Sequence, residues 1–65
     1  MGSFNERWVV YGAAKESRFL AEKDFLHSFL RQDSAKDYIK AHKNLFPGRY
    51  GCYDVYVGSE LRERV

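Results

Sequence analysis

The sequence is poor in the reinforcements that small proteins usually rely on. Cys52 is the only cysteine among 65 residues, so no disulfide can form within the chain, and a reducing compartment, the cytoplasm, is the natural expectation. No run of about 18 or more apolar residues occurs, which argues against a membrane span. The N-terminus also has no basic stretch leading into an apolar segment, as a secretory signal would require. Gly2 raises the question of myristoylation, but Glu6 stands where that signal wants Ser or Thr. Met1-Gly2-Ser3 reads equally well as a cloning remnant.

Chemistry-bearing patterns are just as scarce. There is no Gly-rich phosphate loop, no nucleophile elbow and no pair of carboxylates at a catalytic spacing. His27, His42 and Cys52 show none of the close pairings used by metal sites, so neither a metal nor another cofactor is expected. Cys52 is flanked by Gly51 and Tyr53, with no fixed cation evident to lower its pKa, and reads as a structural or half-buried thiol. A formal charge of +2 is too small to imply nucleic-acid binding by itself.

What the chain does have is apolar mass. Hydrophobic residues make up 45% and aromatic residues 17%, more than a disordered segment carries. Residues 1–65 read as one small folded domain, with residues 1–5 and 59–65 flexible. A domain this short buries only about 60% of the surface its unfolded chain exposes. Its core rarely leaves more than ~3–5 kcal/mol of net stability, so a second subunit is the natural remaining reinforcement.

The β-branched residues place the strands. Val9 and Val10 lie near the start, Val55 and Val57 near the end, and no Val, Ile or Thr occurs between Tyr11 and Tyr38. Arg7–Tyr11 reads as a strand closed by Gly12. Gly51–Val57 alternates with period two, sending Tyr53, Val55 and Val57 to one face and Cys52, Asp54 and Tyr56 to the other. Gly58 ends it, and the charged segment from Ser59 to Val65 is expected to fray.

The clearest helix runs from about Ser34 to Leu45. Ser34 and Asp37 form a capping-box-like pair, and Ala35, Tyr38, Ile39, Leu45 and Phe46 fall on one arc. Lys40, His42 and Lys43 suit the negative end of the helix dipole, and Pro47 and Gly48 stop the element. Ser17–Gln32 is ambiguous. Phe25, Leu26, Phe29 and Leu30 recur at helical spacing, whereas a strand would put Leu26, Ser28 and Leu30 on one face. Propensity favours helix, so the expected fold is α+β in the order β-α-α-β, with β-β-α-β as the alternative. A short sheet of the two terminal strands would carry the helices on one face.

Three further features follow. His42 projects near the centre of the apolar arc and reads as a core histidine with a local hydrogen bond. Asp24 and His27, three apart, could touch on a helix face, as pairs on solvated surfaces commonly do. Lys36, Lys40 and Lys43 repeat as one stripe, with Arg49 just past the turn. They could contact phosphates while exposed tyrosines stack on bases, although a solvated helix back shows the same pattern.

Both sheet faces, moreover, look apolar. If Trp8, Val10, Tyr53, Val55 and Val57 face the helices, then Val9, Tyr11, Tyr50, Cys52 and Tyr56 face away, onto a surface open to a partner unless tails or loops such as Phe4 cover it.

In its compact build, single cysteine and lack of catalytic pattern, the chain resembles the small accessory regulators and inhibitors of phages and bacterial mobile elements. This likeness assigns no site. The leading expectation is a non-enzymatic protein-binding module that acts as a homodimer, with Val9, Tyr11, Tyr50 and Tyr56 at the protein interface. The alternative is a nucleic-acid-binding protein using Lys36, Lys40, Lys43 and Arg49, and a small enzyme using His27, His42 or Cys52 is a distant third.

Overall fold

The strand around Val9 and Val10 forms the middle of the molecule. In the computed structural model, which describes residues 7–65, β1 (Trp8–Ala13) lies between β2 (Asp24–Phe29) and β3 (Cys52–Val57), and β4 (Glu60–Arg64) pairs with the far side of β3. Every pairing is antiparallel, in the sheet order β2-β1-β3-β4. The helix α1 (Gln32–Leu45) links β2 to β3, and a 3₁₀ turn at Leu20–Glu22 precedes β2. The chain is thus a single α+β domain built as β-β-α-β-β. The expected flexibility of residues 1–5 falls outside the described residues. No described helix is long and apolar enough to cross a membrane.

The order β-α-α-β is overturned because Asp24–Phe29 is a strand, so the alternative β-β-α-β matches the first four major elements. A β-bulge explains why the segment resembles a helix. The register with β1 passes from Val10↔His27 to Tyr11↔Phe25, leaving Leu26 as the extra residue. Leu26 and Phe29 therefore both pack on the helix-side core, while Phe25 points to the opposite face with Tyr11. Apolar residues that break strict alternation imitate a 3.6-residue period. Pairing with the open edge of β1 outweighs the helical propensity of the segment.

The fraying expected for 59–65 is also overturned. Gly58, with φ of 64°, and Ser59 form a two-residue loop between Val57 and its partner Glu60, and the chain returns along β3 as β4. The ladder continues past the strand's formal end, since Tyr53 and Val65 exchange both backbone hydrogen bonds, at 2.9 and 2.8 Å.

The helix stands where periodicity put it but starts two residues early. Gln32 is its first residue and Arg31 its extended N-cap, without a side-chain cap, so the Ser34–Asp37 capping box does not form. Ala35 and Ile39 are buried with Val10, Tyr53 and Val55, against which Trp8, Leu26, Phe29, Tyr38 and Tyr50 pack. Leu45 and Phe46, expected on the same arc, are 71% and 45% exposed at the helix end.

Gly12 lies within β1 rather than closing it, and a methyl group at that position would overlap the Tyr50 ring. Gly12→Ala should displace Tyr50 and lower stability by about 1–3 kcal/mol, the usual cost of overpacking. Thermal or urea unfolding checks this, with loss of the Tyr50 contacts seen by NMR as the structural signature.

Candidate functional site

Alternation gives the sheet two faces, and the one turned away from α1 carries the unusual chemistry. Cross-strand partners define two rows on it: Ser28, Val9, Tyr56 and Leu61, then Phe25, Tyr11, Asp54 and Arg64. Ala13 and Cys52 continue beyond them.

Asp54 is fully buried, and the Lys23 ammonium reaches its Oδ2 at 2.7 Å with both side chains almost completely out of water. Lysine and aspartate are rarely buried so far unless paired. Here every strong donor is matched. Arg64 donates from Nε to Oδ1 at 2.8 Å and from Nη2 to Oδ2 at 3.1 Å, a two-pronged bond, and Lys23 also donates to the Tyr56 hydroxyl at 2.8 Å. The remaining Arg64 donors hold the carbonyls of Lys15 and Ser17 at 3.2 Å.

This cluster joins the connection between β1 and β2 to the sheet. Lys23 closes that connection, Arg64 holds its backbone at Lys15 and Ser17, and the Cys52 thiol lies 3.6 Å from the Ala14 carbonyl. Within the segment, Glu22 accepts the backbone N–H groups of Arg18 at 3.0 Å and Phe19 at 3.4 Å. The second face is therefore covered from Cys52 to Asp54 by the chain itself.

The charges respond to this environment in consistent directions. Burial alone would raise the Asp54 pKa, but hydrogen bonds from Arg64 and Lys23 and their positive charges hold the carboxyl below its ordinary value of 3.8. Burial likewise opposes the Lys23 charge, and its bonds to Asp54 and Tyr56 more than offset this, raising it above 10.5. Hydrogen bonding to Asp54 raises Arg64 further. Burial and the neighbouring Asp54 carboxylate push the Cys52 thiol up, away from the thiolate a nucleophile needs.

Of the residues expected at an interface, Val9 and Tyr11 lie half-buried on this face. Tyr56 is on the same face but only 9% exposed, beneath Lys23, whose ammonium sits 4.9 Å from its ring centroid. Tyr50 is elsewhere. It packs on the helix-side core, edge-on to Tyr53 with ring centroids 5.6 Å apart, and donates its hydroxyl proton to Asp24 at 3.0 Å. Its expected place on the second face is thus corrected: lying just before β3, it does not share that strand's alternation. Burial, with the bond to Asp24, raises its pKa.

Two residues not singled out by sequence extend the Val9–Tyr11 surface. Phe25 is 62% exposed and meets Tyr11 edge-on, at a centroid distance of 6.0 Å, and Leu61, opposite Tyr56, is 45% exposed.

The histidines belong to the helix side. His42 Nδ1 lies 2.7 Å from the Tyr53 hydroxyl, among the rings of Tyr38, Phe46, Tyr50 and Tyr53, a core-type contact. His27 stacks on Tyr38 at 5.7 Å and does not pair with Asp24, because the two lie on a strand. Among the described residues no group of three His, Cys, Asp or Glu could hold a metal.

Lys36, Lys40 and Lys43 do come together, along an open groove of about 330 Å³ whose other walls are Ile39, Glu63 and Val65. Lys36 lies 3.5 Å from Glu63. Arg49 is not part of this groove; it sits over the Phe46 ring and borders a cleft formed with Gly12, Asp24 and Tyr50.

No protein-family model matches the chain, and no curated protein or solved structure is significantly similar to it.

Three outcomes follow from the buried cluster and the thiol beside it. Asp54→Asn strands the Lys23 charge and should cost about 3–5 kcal/mol, close to the entire stability of so small a domain, whereas Lys23→Met with Asp54→Leu should recover most of the fold. The sign with pH follows from the directions of shift. The Asp54 contribution is complete above the unfolded value near 3.8 and lost as pH falls through the lower folded value. That of Lys23 is complete below 10.5 and lost as pH rises through its higher folded value. Unfolding scans should therefore be level through neutral pH and fall at both extremes, with a weaker acid limb in the double variant. Cys52 in the native protein should react with a thiol reagent only as fast as the chain opens.

Proposed function

We propose that the chain is a non-enzymatic protein-binding module, an accessory or regulatory protein of the inhibitor or adaptor kind, and that it works as a homodimer joined through the open part of its second sheet face. The observation that carries this reading is Phe25, a large aromatic side chain 62% exposed beside Tyr11, in the row next to that of Val9 and Leu61. Large aromatic and aliphatic side chains are the composition of an interface core, and the one cation among them, Lys23 over Tyr56, is itself buried and paired with Asp54.

The nature of the occupant follows from the surface. An apolar strip is best matched by another apolar strip, and a two-fold axis through this face lets each copy supply it to the other. With four strands the sheet is less marginal than two would be, so the support for a dimer comes from the exposed strip rather than from a thin core. The cluster of buried Lys23 and Asp54 with the partly exposed Arg64 fits a structural role, since its charges satisfy one another and the Asp54 carboxylate and Lys23 ammonium are turned from solvent.

The second reading, nucleic-acid binding through Lys36, Lys40 and Lys43, draws support from the groove they share. Arg49 lies outside it.

Light scattering over a concentration series should give twice the chain mass. Phe25→Asp and Leu61→Asp should shift the protein to monomer with an unchanged circular dichroism spectrum. Tyr56→Asp is unsuitable, because it would place a charge beneath Lys23. A monomer at every concentration, in a protein that melts cooperatively, would overturn the proposal.

A further inference from the structure

The basic groove and the outer edge of β4 adjoin. Glu63 and Val65, which form one wall of the groove, belong to the β4 segment, and β4 is the last strand of the sheet among the described residues. Because Tyr53 and Val65 exchange both backbone hydrogen bonds, the preceding residue, Arg64, which stands opposite Asp54, turns its own N–H and C=O away from β3, toward the open edge. An extended chain laid there would find backbone partners and a groove beside them on the helix side.

Two features state what that chain should carry. Lys40 and Lys43 have no ion pair among the described residues, whereas Lys36 is engaged with Glu63. The Oε1 atom of Glu63 is buried and accepts no hydrogen bond, an acceptor that lacks a donor. The charged side chains of β4 discourage indiscriminate edge pairing, which leaves room for a selective partner.

We propose that the β4 edge takes up an extended acidic peptide segment as a fifth strand. Its carboxylate side chain lies beside Val65 and reaches Lys40 and Lys43, a hydroxyl or amide donor two residues away satisfies Glu63 Oε1, and the apolar side chain between them lies on the other face, beside Arg64. Strand addition of this kind draws affinity from the backbone and specificity from alternate side chains. The orphaned Glu63 acceptor and the apolar groove walls favour such a peptide over a phosphate backbone, which offers acceptors but no donors there. The site is separate from the dimer surface through Phe25, so each can fail without the other.

The probe is a soluble fluorescent peptide containing Thr-Val-Glu-Val repeated twice, measured by anisotropy beside a version with Lys in place of Glu and a single-stranded oligonucleotide of the same length. The Glu peptide should bind, weaken about tenfold or more in Lys40→Glu with Lys43→Glu, and slow exchange of the Arg64 amide in the wild-type protein. The Lys peptide should not bind. Absence of binding by the Glu peptide, equal binding by the variant, or an unprotected Arg64 amide would overturn the proposal. Lysine-dependent binding of the oligonucleotide in place of the peptide would overturn it in favour of a nucleic-acid groove. Scattering mass recorded on the same samples separates these results from a failure of the dimer.

Discussion

The ion pair between Lys23 and Asp54 is the contact on which the arrangement of this domain most depends. Opposite charges withdrawn from water are costly unless their hydrogen-bonding capacity is used, and here Arg64 and Tyr56 use it. The three charged residues come from three different places: the end of the β1–β2 connection, the middle of β3 and the end of β4. Satisfying Asp54 therefore requires the connection to close and both outer hairpins to form. A charge cluster of this kind specifies one arrangement more sharply than apolar contact does, because each alternative leaves a buried ion alone.

The same cluster divides the second face of the sheet. Toward Cys52 the face is sealed by the chain's own backbone, with Arg64 holding the carbonyls of Lys15 and Ser17. Toward Leu61 and Phe25 it remains open. The proposed contact surface is thus what the covering segment leaves uncovered, and the residues that cover the sheet set its boundary. Helix-side packing is independent of this division: Ala35 and Ile39 meet Val10, Tyr53 and Val55, while His42 and Tyr53 share a short polar contact.

Much of this was legible in the residues themselves. Val9, Val10, Val55 and Val57 mark the two inner strands, and the alternation after Gly51 assigns Tyr53 and Val55 to the core. The 3.6-residue period marks the helix from Ala35 to Ile39. β2 was hidden by its bulge at Leu26, which breaks the period of two, and by the absence of any β-branched residue. β4 carried a signal that charge obscured: Gly58-Ser59 after an alternating strand is a hairpin loop, yet Glu60, Arg62, Glu63 and Arg64 read as a solvated tail. The buried pair could not be found from spacing, since Lys23 and Asp54 are far apart in the chain. A carboxylate at the centre of an apolar alternation, between Cys52 and Tyr56, was nevertheless a sign that a cation had to meet it. Phe25 and Leu61 were missed as surface candidates because each lay in an element assigned to another state.

Isotope-filtered NMR on a mixture of labelled and unlabelled protein tests the central claim most directly, because it records only contacts between copies. The account predicts cross-copy signals between the Phe25 ring and the methyl groups of Val9 and Leu61, with none involving the sealed residues Cys52 and Asp54. Cross-copy signals confined to the helix side, or none at a concentration where the protein is dimeric by mass, would contradict it.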